Sequence, residues 1–480
     1  MTALAYDDLV SIDLSASFKA YDVRGLVGET ITEDSVRAVG AAFVDVLDLA
    51  GRQVLVGGDM RPSSEAFAAA FTEGARTRGA DVVQLGLIST DMLYFASGTL
   101  QAPGVVFTAS HNPAAYNGMK MSRAGAVPLS ADTGLLEIRD AAQAYLDAPG
   151  CAGVTIPTAG RIGSVESADQ LTGYAEYLRS LVDLSGARPL KVVVDAANGM
   201  AGLTTPAVLG DQILPTLPLE IVPLYFELDG TFPNHPANPL ESENLRDLQA
   251  AVREHGADIG LAFDGDADRC FVIDERGEPV SPSAVTALVA RREIARARTE
   301  GEQTPVIIHN LITSRAVPEL VESAGGRAVE TRVGHSFIKA VMAEEQAVFG
   351  GEHSAHYYFR DFFNADTGML AAMHVLAALG QQELPLSELA AEYNPYAASG
   401  EINSEVEDKQ AAAERVLAAF ADRDAVVSHM DGLTVRAEDG TWWFNLRPSN
   451  TEPFLRYNGE AHSTEVMEAV RDEVLGIVRG

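Results

Sequence analysis

Three times along the chain, a run of consecutive apolar residues gives way to a polar turn and then to a helix-like segment. The first is "RQVLVGGDMRPSSEAFAAAFTEGARTRG" (52–79), in which an Ala-rich amphipathic stretch follows the turn. The second, "PLKVVVDAANGMAG" (189–202), repeats the strand-and-turn opening, and "TPVIIHNLITSRAVPELVESAGG" (304–326) repeats it once more. Apolar runs without alternation are strands covered on both faces, and helices that follow them supply the cover. The pattern predicts three similar α/β domains in series. It changes near residue 389. "LAAEYNPYAASGEINSEV" (389–406) breaks the rhythm, and a helix follows in "EDKQAAAERVLAAFADR". Two strand-like pieces come next, "AVVSHMDGLTVRAE" and "GTWWFNLRPSN", and then a closing helix, "STEVMEAVRDEVLGIVRG". This end reads as a small α+β domain. The expected domains are 1–155, 156–280, 281–388 and 389–480.

Composition narrows the class. A chain of 480 residues is too long for one core, and 47% hydrophobic with 21% charged residues describes a soluble globular protein. No apolar run reaches the ~18 residues of a spanning helix. The opening "MTALAYDDLVSIDLS" is acidic and lacks the basic region of a secretory signal. Cys151 and Cys270 are the only cysteines, which suits a reducing, cytoplasmic location. The formal net charge of −33 speaks against nucleic acid and anionic membranes as partners. It leaves room for a small anionic substrate, because screening over ~8 Å lets a local basic pocket act against the global field. The basic residues must then converge on one place.

Four short stretches carry chemistry. In "FTASHNPAAYNGMK" (107–120), a strand runs into a turn, so Ser110 lies at a strand's C-terminal end. Open α/β sheets place ligands along that edge. The turn residues are expected to hold the Ser110 hydroxyl exposed, and Asn117-Gly118 reads as a second turn that returns Lys120 to the serine. In "DGDADR" (264–269), alternate aspartates aim oxygens at one centre, which suits a hard divalent cation. An EF-hand is the competing reading, with Glu275 at its twelfth position. It needs Gly at position six, where Arg269 stands, and the flanks read as strands. Asp274 reads as a turn residue. In "GGEHSAHYYF" (350–359), Glu352 and Ser354 alternate around His353 and would share a face in extended backbone, where they suit sugar hydroxyls. In "RPSNTEPFLR" (447–456), Arg447, Ser449, Asn450 and Thr451 form a donor-rich turn suited to phosphate, with Arg456 downstream. "FKAYDVRG" (18–25) adds Arg24, and "TRVGHSFIK" (331–339) sets Gly334 and His335 before a helix. Singly, each stretch also fits an ordinary polar turn.

Together and in this order, the loops resemble those of the α-D-phosphohexomutases, and among them the bacterial phosphomannomutase/phosphoglucomutase group. "TASHNP", "DGDADR", "GEHSAH", "RPSNTEP", "YDVRG" and "DGTFPNHPANP" (229–239) carry the resemblance, which spans nearly the whole chain. It implies three α/β domains with mixed sheets plus the C-terminal α+β domain, around an active site in a central cleft. It implies that Ser110 is the phosphoserine, and that Asp264, Asp266, Asp268 and the Ser110 phosphate bind Mg²⁺. His111 would support the serine, and Arg269 would neutralise transferring phosphate. Arg24, Lys120 and His335 would surround proton transfer. Gly334, His335, Glu352 and Ser354 would hold the sugar, and Arg447, Ser449, Asn450, Thr451 and Arg456 the phosphate that is not transferred.

The implied reaction interconverts mannose 6-phosphate and mannose 1-phosphate, with a hexose 1,6-bisphosphate as intermediate and activator. Hexose phosphates are the implied partners of a monomer or homodimer. Phosphoglucomutase or dual activity comes next, because mannose and glucose differ only at C2. Phosphoglucosamine mutases typically read Gly-Glu-Gln-Ser-Gly-His where this chain reads "GEHSAH", and they rank third. A catalytically silent sugar-phosphate binder is the reading from another class. Such relatives usually lose the serine or an aspartate, and both are present here.

Overall fold

The computed structural model describes residues 12–148, 154–449 and 454–480, with the side chains of 335 and 336 excepted. Two compact units account for the chain. The first comprises Met1–Pro279 and His356–Leu386, and the second Val280–Ala355 and Ser387–Gly480.

The first unit holds two sheets of the predicted kind. One has six strands, in the order Val23–Leu26, Tyr116–Ser122, Gly104–Phe107, Gln53–Gly58, Asp81–Leu87 and Val165–Ser167. The first two pairings are antiparallel and the other three parallel, so the sheet is mixed. Gln53–Gly58 lies inside the sheet with five of its six residues buried, which is why its sequence shows no alternation. Helices Glu33–Leu47 and Ser64–Thr77 cover one face, and Phe43, Phe71 and Phe107 meet beneath them edge to face. The other sheet has five strands, in the order Pro279–Val280, Cys270–Asp274, Ile259–Phe263, Leu190–Asp195 and Leu219–Leu224, with the Cys270–Asp274 to Ile259–Phe263 pairing antiparallel and the next two parallel. A short hairpin, Tyr357–Phe359 with Ala365–Asp366, leads into the buried helix Gly368–Gly380.

In the second unit, Val306–Asn310 pairs in parallel with both Arg327–Thr331 and Phe349–Gly351. The third predicted opening is therefore present, followed by the helix Ala316–Ser323. The C-terminal sheet is antiparallel throughout and departs from the two-strand expectation. "AVVSHMDGLTVRAE" is two strands, Ala425–Ser428 and Leu433–Ala437, folded back at Gly432 with φ 74°. Phe454–Ala461, read only as the tail of a phosphate loop, is a central strand pairing with Trp442–Pro448 and with Ile402–Glu405. Helices Lys409–Ala419 and Thr464–Arg479 pack on it, as expected. Among the described residues no helix is long and apolar enough to cross a membrane.

Candidate active site

Ser110 follows the fully buried strand Gly104–Phe107 by three residues, at the expected C-terminal edge. Its φ is 51°, a left-handed conformation uncommon for serine, and Thr108 Oγ1 fixes it by accepting from Ser110 N at 2.9 Å. The loop is fastened from inside. Arg61 donates to the carbonyl oxygens of Ser110 (2.9 Å), Asn112 (2.7 Å), Pro113 (2.9 Å) and Tyr116 (2.8 Å). Its guanidinium also pairs with Asp59 at 3.3 Å, and both side chains are wholly buried. Burial pushes the Asp59 carboxyl up and the Arg61 guanidinium down.

Two expectations for this loop are corrected. Ser110 is not exposed: 3% of its surface remains open, because the loop carrying Asp264 packs over it. Asn117-Gly118 is not a turn. It lies within the strand Tyr116–Ser122, and Gly118 is required because a Cβ there would sit 1.9 Å from Val23 O on the neighbouring strand. The close approach of two backbones overrides the local turn signal. Lys120 reaches the site from this strand.

The Ser110 hydroxyl donates to Asp264 Oδ2 at 2.9 Å and lies 3.1 Å from His111 Nδ1. Arg269 Nε pairs with the same Asp264 oxygen at 2.9 Å, and its Nη2 lies 2.6 Å from His111 Nδ1. A guanidinium only donates, so His111 Nδ1 accepts and the ring is neutral. Burial, with the charges of Arg269 and Arg24, holds the His111 pKa well below its usual range. Arg24, itself salt-bridged to Asp22 at 2.7 Å, donates to Asn112 Oδ1 at 2.8 Å. It therefore joins the same loop.

The aspartates lie between the antiparallel strands Ile259–Phe263 and Cys270–Asp274, not between helices, so the EF-hand reading falls. Asp274 caps the following turn as expected, accepting from the backbone of Arg276 and Glu278. Single carboxylate oxygens of Asp264, Asp266 and Asp268 all lie within 4.8 Å of one another, and all three residues are buried. Gly265 lets this loop close on the serine, since a Cβ there would meet Ser110 O at 2.5 Å. Lys120 Nζ bridges Asp266 Oδ2 (2.7 Å) and Asp268 Oδ2 (2.5 Å). Burial pushes all three carboxyls up. Lys120 overcomes this at Asp266 and Asp268, which are held below the usual carboxylate range. Asp264 is pushed up to about 7 despite Arg269. Lys120, against its own desolvation, is held well above its usual value by the two aspartates. Asp266 Oδ1 and Asp268 Oδ1 are buried and accept no hydrogen bond. Oxygen-only donors with unsatisfied lone pairs fit a hard divalent cation.

The residues predicted for sugar and phosphate lie in the second unit. Glu352 Oε1 accepts from Asn310 Nδ2 (3.1 Å) and from Gly334 N (3.2 Å), so Gly334 and Glu352 are brought together. The segment around His353 is not extended. A turn closed by Ala355 N to Glu352 O (3.1 Å), with Ala355 at φ 65°, replaces the strand on which Glu352 and Ser354 would alternate. His353 Nδ1 instead meets Ser283 Oγ at 2.9 Å. The expected helix is present as His335–Glu345, with Gly334 before it and His335 as its first residue, and the His335 side chain lies outside the described residues. Arg447 and Arg456 face each other across paired strands. Arg447 is 3.8 Å from Glu401 and 3.9 Å from Asp431, and Arg456 is 3.5 Å from both Glu401 and Ser449 Oγ. Asn450 and Thr451 lie outside the described residues.

Several neighbours escaped the sequence reading. Asp59 and Arg61 follow the strand Gln53–Gly58 at the same sheet edge as Ser110, and that edge was the available signal. Thr90 donates to Asp266 Oδ2 at 2.6 Å, and His356 Nε2 lies 3.9 Å from Asp268 Oδ1. His356 stood in the quoted sugar motif but was given no role.

Family models described as phosphoglucomutase/phosphomannomutase α/β/α domains I, II and III match residues 15–147, 172–277 and 281–396, and the C-terminal domain of the same family matches 401–477. The chain belongs to the phosphoglucomutase/phosphomannomutase family. It is accordingly a mutase, an enzyme of the isomerase class. "Phosphohexose mutases" of Xanthomonas campestris pv. campestris (strain B100) is 41% identical over 467 residues, covering 97% of this chain and 99% of that one. A phosphomannomutase of Salmonella typhimurium is 39% identical over 464 residues, covering 96% and 98%. A crystal structure of a phosphoglucomutase/phosphomannomutase family protein from Burkholderia thailandensis superimposes with TM-score 0.83 at 29% identity, covering 97% of each chain.

Proposed function

We propose that this mutase is a phosphomannomutase that interconverts mannose 6-phosphate and mannose 1-phosphate through a phosphoserine at Ser110 and a hexose 1,6-bisphosphate. The observation that carries the reading is the Ser110 hydroxyl 2.9 Å from Asp264, inside a buried trio of aspartates. Naming of relatives at 37–39% identity as phosphomannomutases supports mannose as the sugar. The four-domain division at 155, 280 and 388 belongs to the same proposal.

In the forward half-reaction, a hydroxyl oxygen of the bound sugar phosphate forms a bond to phosphorus as the Ser110 Oγ–P bond breaks. The sugar hydroxyl loses its proton and Ser110 Oγ gains one. The bisphosphate then turns over, and Ser110 takes back the other phosphoryl group. Charge on the moving phosphoryl oxygens is stabilised electrostatically, which is the main demand of this chemistry. Arg269, fixed on Asp264 beside Ser110, is placed to supply that stabilisation. Lys120, held protonated by two aspartates, suits a proton donor or fixed charge and not a base. Neutral His111 accepts from Arg269 at Nδ1 and so holds that guanidinium beside Ser110, whose Oγ lies 3.1 Å from the same nitrogen. Arg24 holds Asn112, and His335 completes the set proposed around proton transfer. Asp264, Asp266 and Asp268 would hold Mg²⁺, which supplies Lewis-acid polarisation of phosphoryl oxygens. The low exposure of Ser110 favours an ester protected from water. Gly334, Glu352 and Ser354 would take the sugar, and Arg447, Ser449, Asn450, Thr451 and Arg456 the resting phosphate.

A coupled assay comparing mannose 1-phosphate, glucose 1-phosphate and glucosamine 1-phosphate at equal concentration, with glucose 1,6-bisphosphate and Mg²⁺, tests the reading. Mannose 1-phosphate should turn over fastest. A faster glucosamine substrate would overturn the assignment. Intact-mass spectrometry should find one phosphate on the peptide bearing Ser110, and its complete absence after incubation would favour a silent binder.

A further inference from the structure

We propose that Thr90 is a positioning residue for the cation site, gripping Asp266 at two points so that one carboxylate oxygen stays directed at the ion. The inference rests on reading Asp264, Asp266 and Asp268 as the cation's ligands. Thr90 is the first residue of the helix Thr90–Leu100, where backbone N–H groups have no partner within the helix. Its N–H goes to the backbone oxygen of Asp266 at 3.1 Å. Its hydroxyl goes to Oδ2 of the same aspartate at 2.6 Å. Lys120 takes that same Oδ2 at 2.7 Å. With the backbone and one carboxylate oxygen both tied, the carboxylate plane is fixed. The other oxygen, Oδ1, is buried with no hydrogen-bond partner, and it is the atom left to ligate.

The helix does not need the Thr90 hydroxyl for itself. Ser89 is the N-cap, accepting from Met92 N at 3.4 Å. Thr90 is in turn held rigidly, because its neighbours tie separate parts of the first unit together. Asp91 accepts from Ser89 Oγ, from Tyr174 OH on the helix Leu171–Leu181 at 2.6 Å, and from Thr367 Oγ1 at 2.7 Å. Thr367 is itself the N-cap of the helix Gly368–Gly380. Ser89, Thr90, Asp91 and Thr367 are all completely buried. A network this enclosed holds the Thr90 hydroxyl in one place, as a group that orients a metal ligand must be held.

The test is calorimetric titration of the purified full-length chain with MgCl₂, without sugar phosphate, for wild type, Thr90→Val and Thr90→Ser. Valine keeps the shape and the N–H bond and removes only the hydroxyl. Serine keeps the hydroxyl. Loss of an outer-shell partner of this kind weakens metal binding by roughly 10- to 100-fold, which is expected for valine, whereas serine should stay within about threefold. Melting in EDTA reports whether each variant folds, and Thr90→Ala replaces valine if valine does not. Mg²⁺ binding by the hydroxyl-less variant as tight as wild type would overturn the proposal, as would a serine variant that loses as much as valine. A wild-type chain that takes up no Mg²⁺ would remove the reading of the aspartate trio and the role of Thr90 with it. Normal wild-type binding left unaltered by valine would remove the role of Thr90 alone.

Discussion

Two sets of cations serve this molecule in different ways. In the first unit, Lys120 and Arg269 sit within 2.5–2.9 Å of aspartates and are 11% and 3% exposed. In the second, Arg447 is 15% exposed and stands 3.8 and 3.9 Å from Glu401 and Asp431, and Arg456 is 27% exposed and stands 3.5 Å from Glu401. The first set is spent on holding a buried anionic cluster in shape. The pairings of the second with Glu401 and Asp431 are longer and leave more of each guanidinium open to solvent. A pocket that must bind a phosphate in two orientations gains from loose pairing. A centre that must aim one oxygen at phosphorus gains from tight pairing. In a chain of net charge −33, both sets answer the demand that positive charge be concentrated locally.

The largest effect expected from this contrast is at Ser110. If Ser110 accepts the phosphoryl group, Ser110→Ala removes that acceptor and should lower kcat by at least ~10⁴-fold, as loss of a nucleophile does. The fold should survive, because the backbone of the loop is fastened by Arg61 and not by the serine hydroxyl. Turnover within tenfold of wild type would contradict the role of Ser110. The melting temperature read alongside separates chemistry from unfolding.

Tight burial in the first unit also has a consequence for pH. Asp91 is fully buried, and burial pushes its carboxyl up from 3.8 to about 6. Its folded pKa lies above its unfolded one, so the folded state binds the extra proton between pH ~4 and ~6. Its contribution to stability is complete below pH ~4 and is lost as pH rises through about 6. A difference of roughly two pKa units is worth about 3 kcal/mol, a little over a hundredfold in the folding equilibrium. Asp91→Asn carries no such titration. The stability gap between wild type and Asp91→Asn should therefore be wider at pH 4 than at pH 7. Thermal melts of both proteins across this range measure it, and a gap independent of pH would show that folding does not raise the Asp91 pKa.

Legibility followed the same division. The three strand-turn-helix openings could be read because continuous apolar runs are uncommon outside doubly covered strands, and all three are present. That Ser110 lies at a strand's C-terminal edge and that Asp264, Asp266 and Asp268 cluster could be read from the apolar run before the serine and from the alternate aspartates. Arg61 and Thr90 could not. Each acts through a partner more than forty residues away, and nothing local marks either side chain as more than a turn arginine or a helix-start threonine. Phe454–Ala461 was hidden for another reason. Its buried Asn458 and Glu460 interrupt the apolar pattern, and it follows directly on a motif that reads as loop. Asn117-Gly118 misled because its glycine answers a neighbouring strand and not a turn.

Gly265 offers a smaller perturbation of the tight region than removal of the serine. Its Cβ position lies 2.5 Å from Ser110 O, a backbone atom that Arg61 holds in place and that cannot swing aside. Gly265→Ala must push the serine and metal loops apart by a fraction of an ångström or more. A misplacement on the order of 1 Å costs about a hundredfold in rate. We expect kcat for the sugar phosphate to fall by about that factor while KM changes little, because neither Arg447 nor Arg456 is touched. Steady-state kinetics separate the two parameters, and an unchanged kcat would mean that the close approach of the loops is not needed for transfer.

The loose region should respond in the opposite parameter. Arg447→Ala removes a guanidinium whose own carboxylate contacts, at 3.8 and 3.9 Å, are too long to hold the fold together. Its loss should cost little stability through these pairs, since contacts at 3.8 and 3.9 Å are longer than a hydrogen bond. If Arg447 grips the phosphate that is not being transferred, it binds that group equally before and during transfer. Such uniform binding appears in KM, which should rise about tenfold while kcat stays within about threefold. Added salt should raise the wild-type KM and leave that of Arg447→Ala less affected, because a guanidinium that is only partly buried is still reached by screening, over ~8 Å at physiological ionic strength. A fall in kcat as large as that of Gly265→Ala would place Arg447 with the tight centre, and the distinction between the two sets of cations would not survive it.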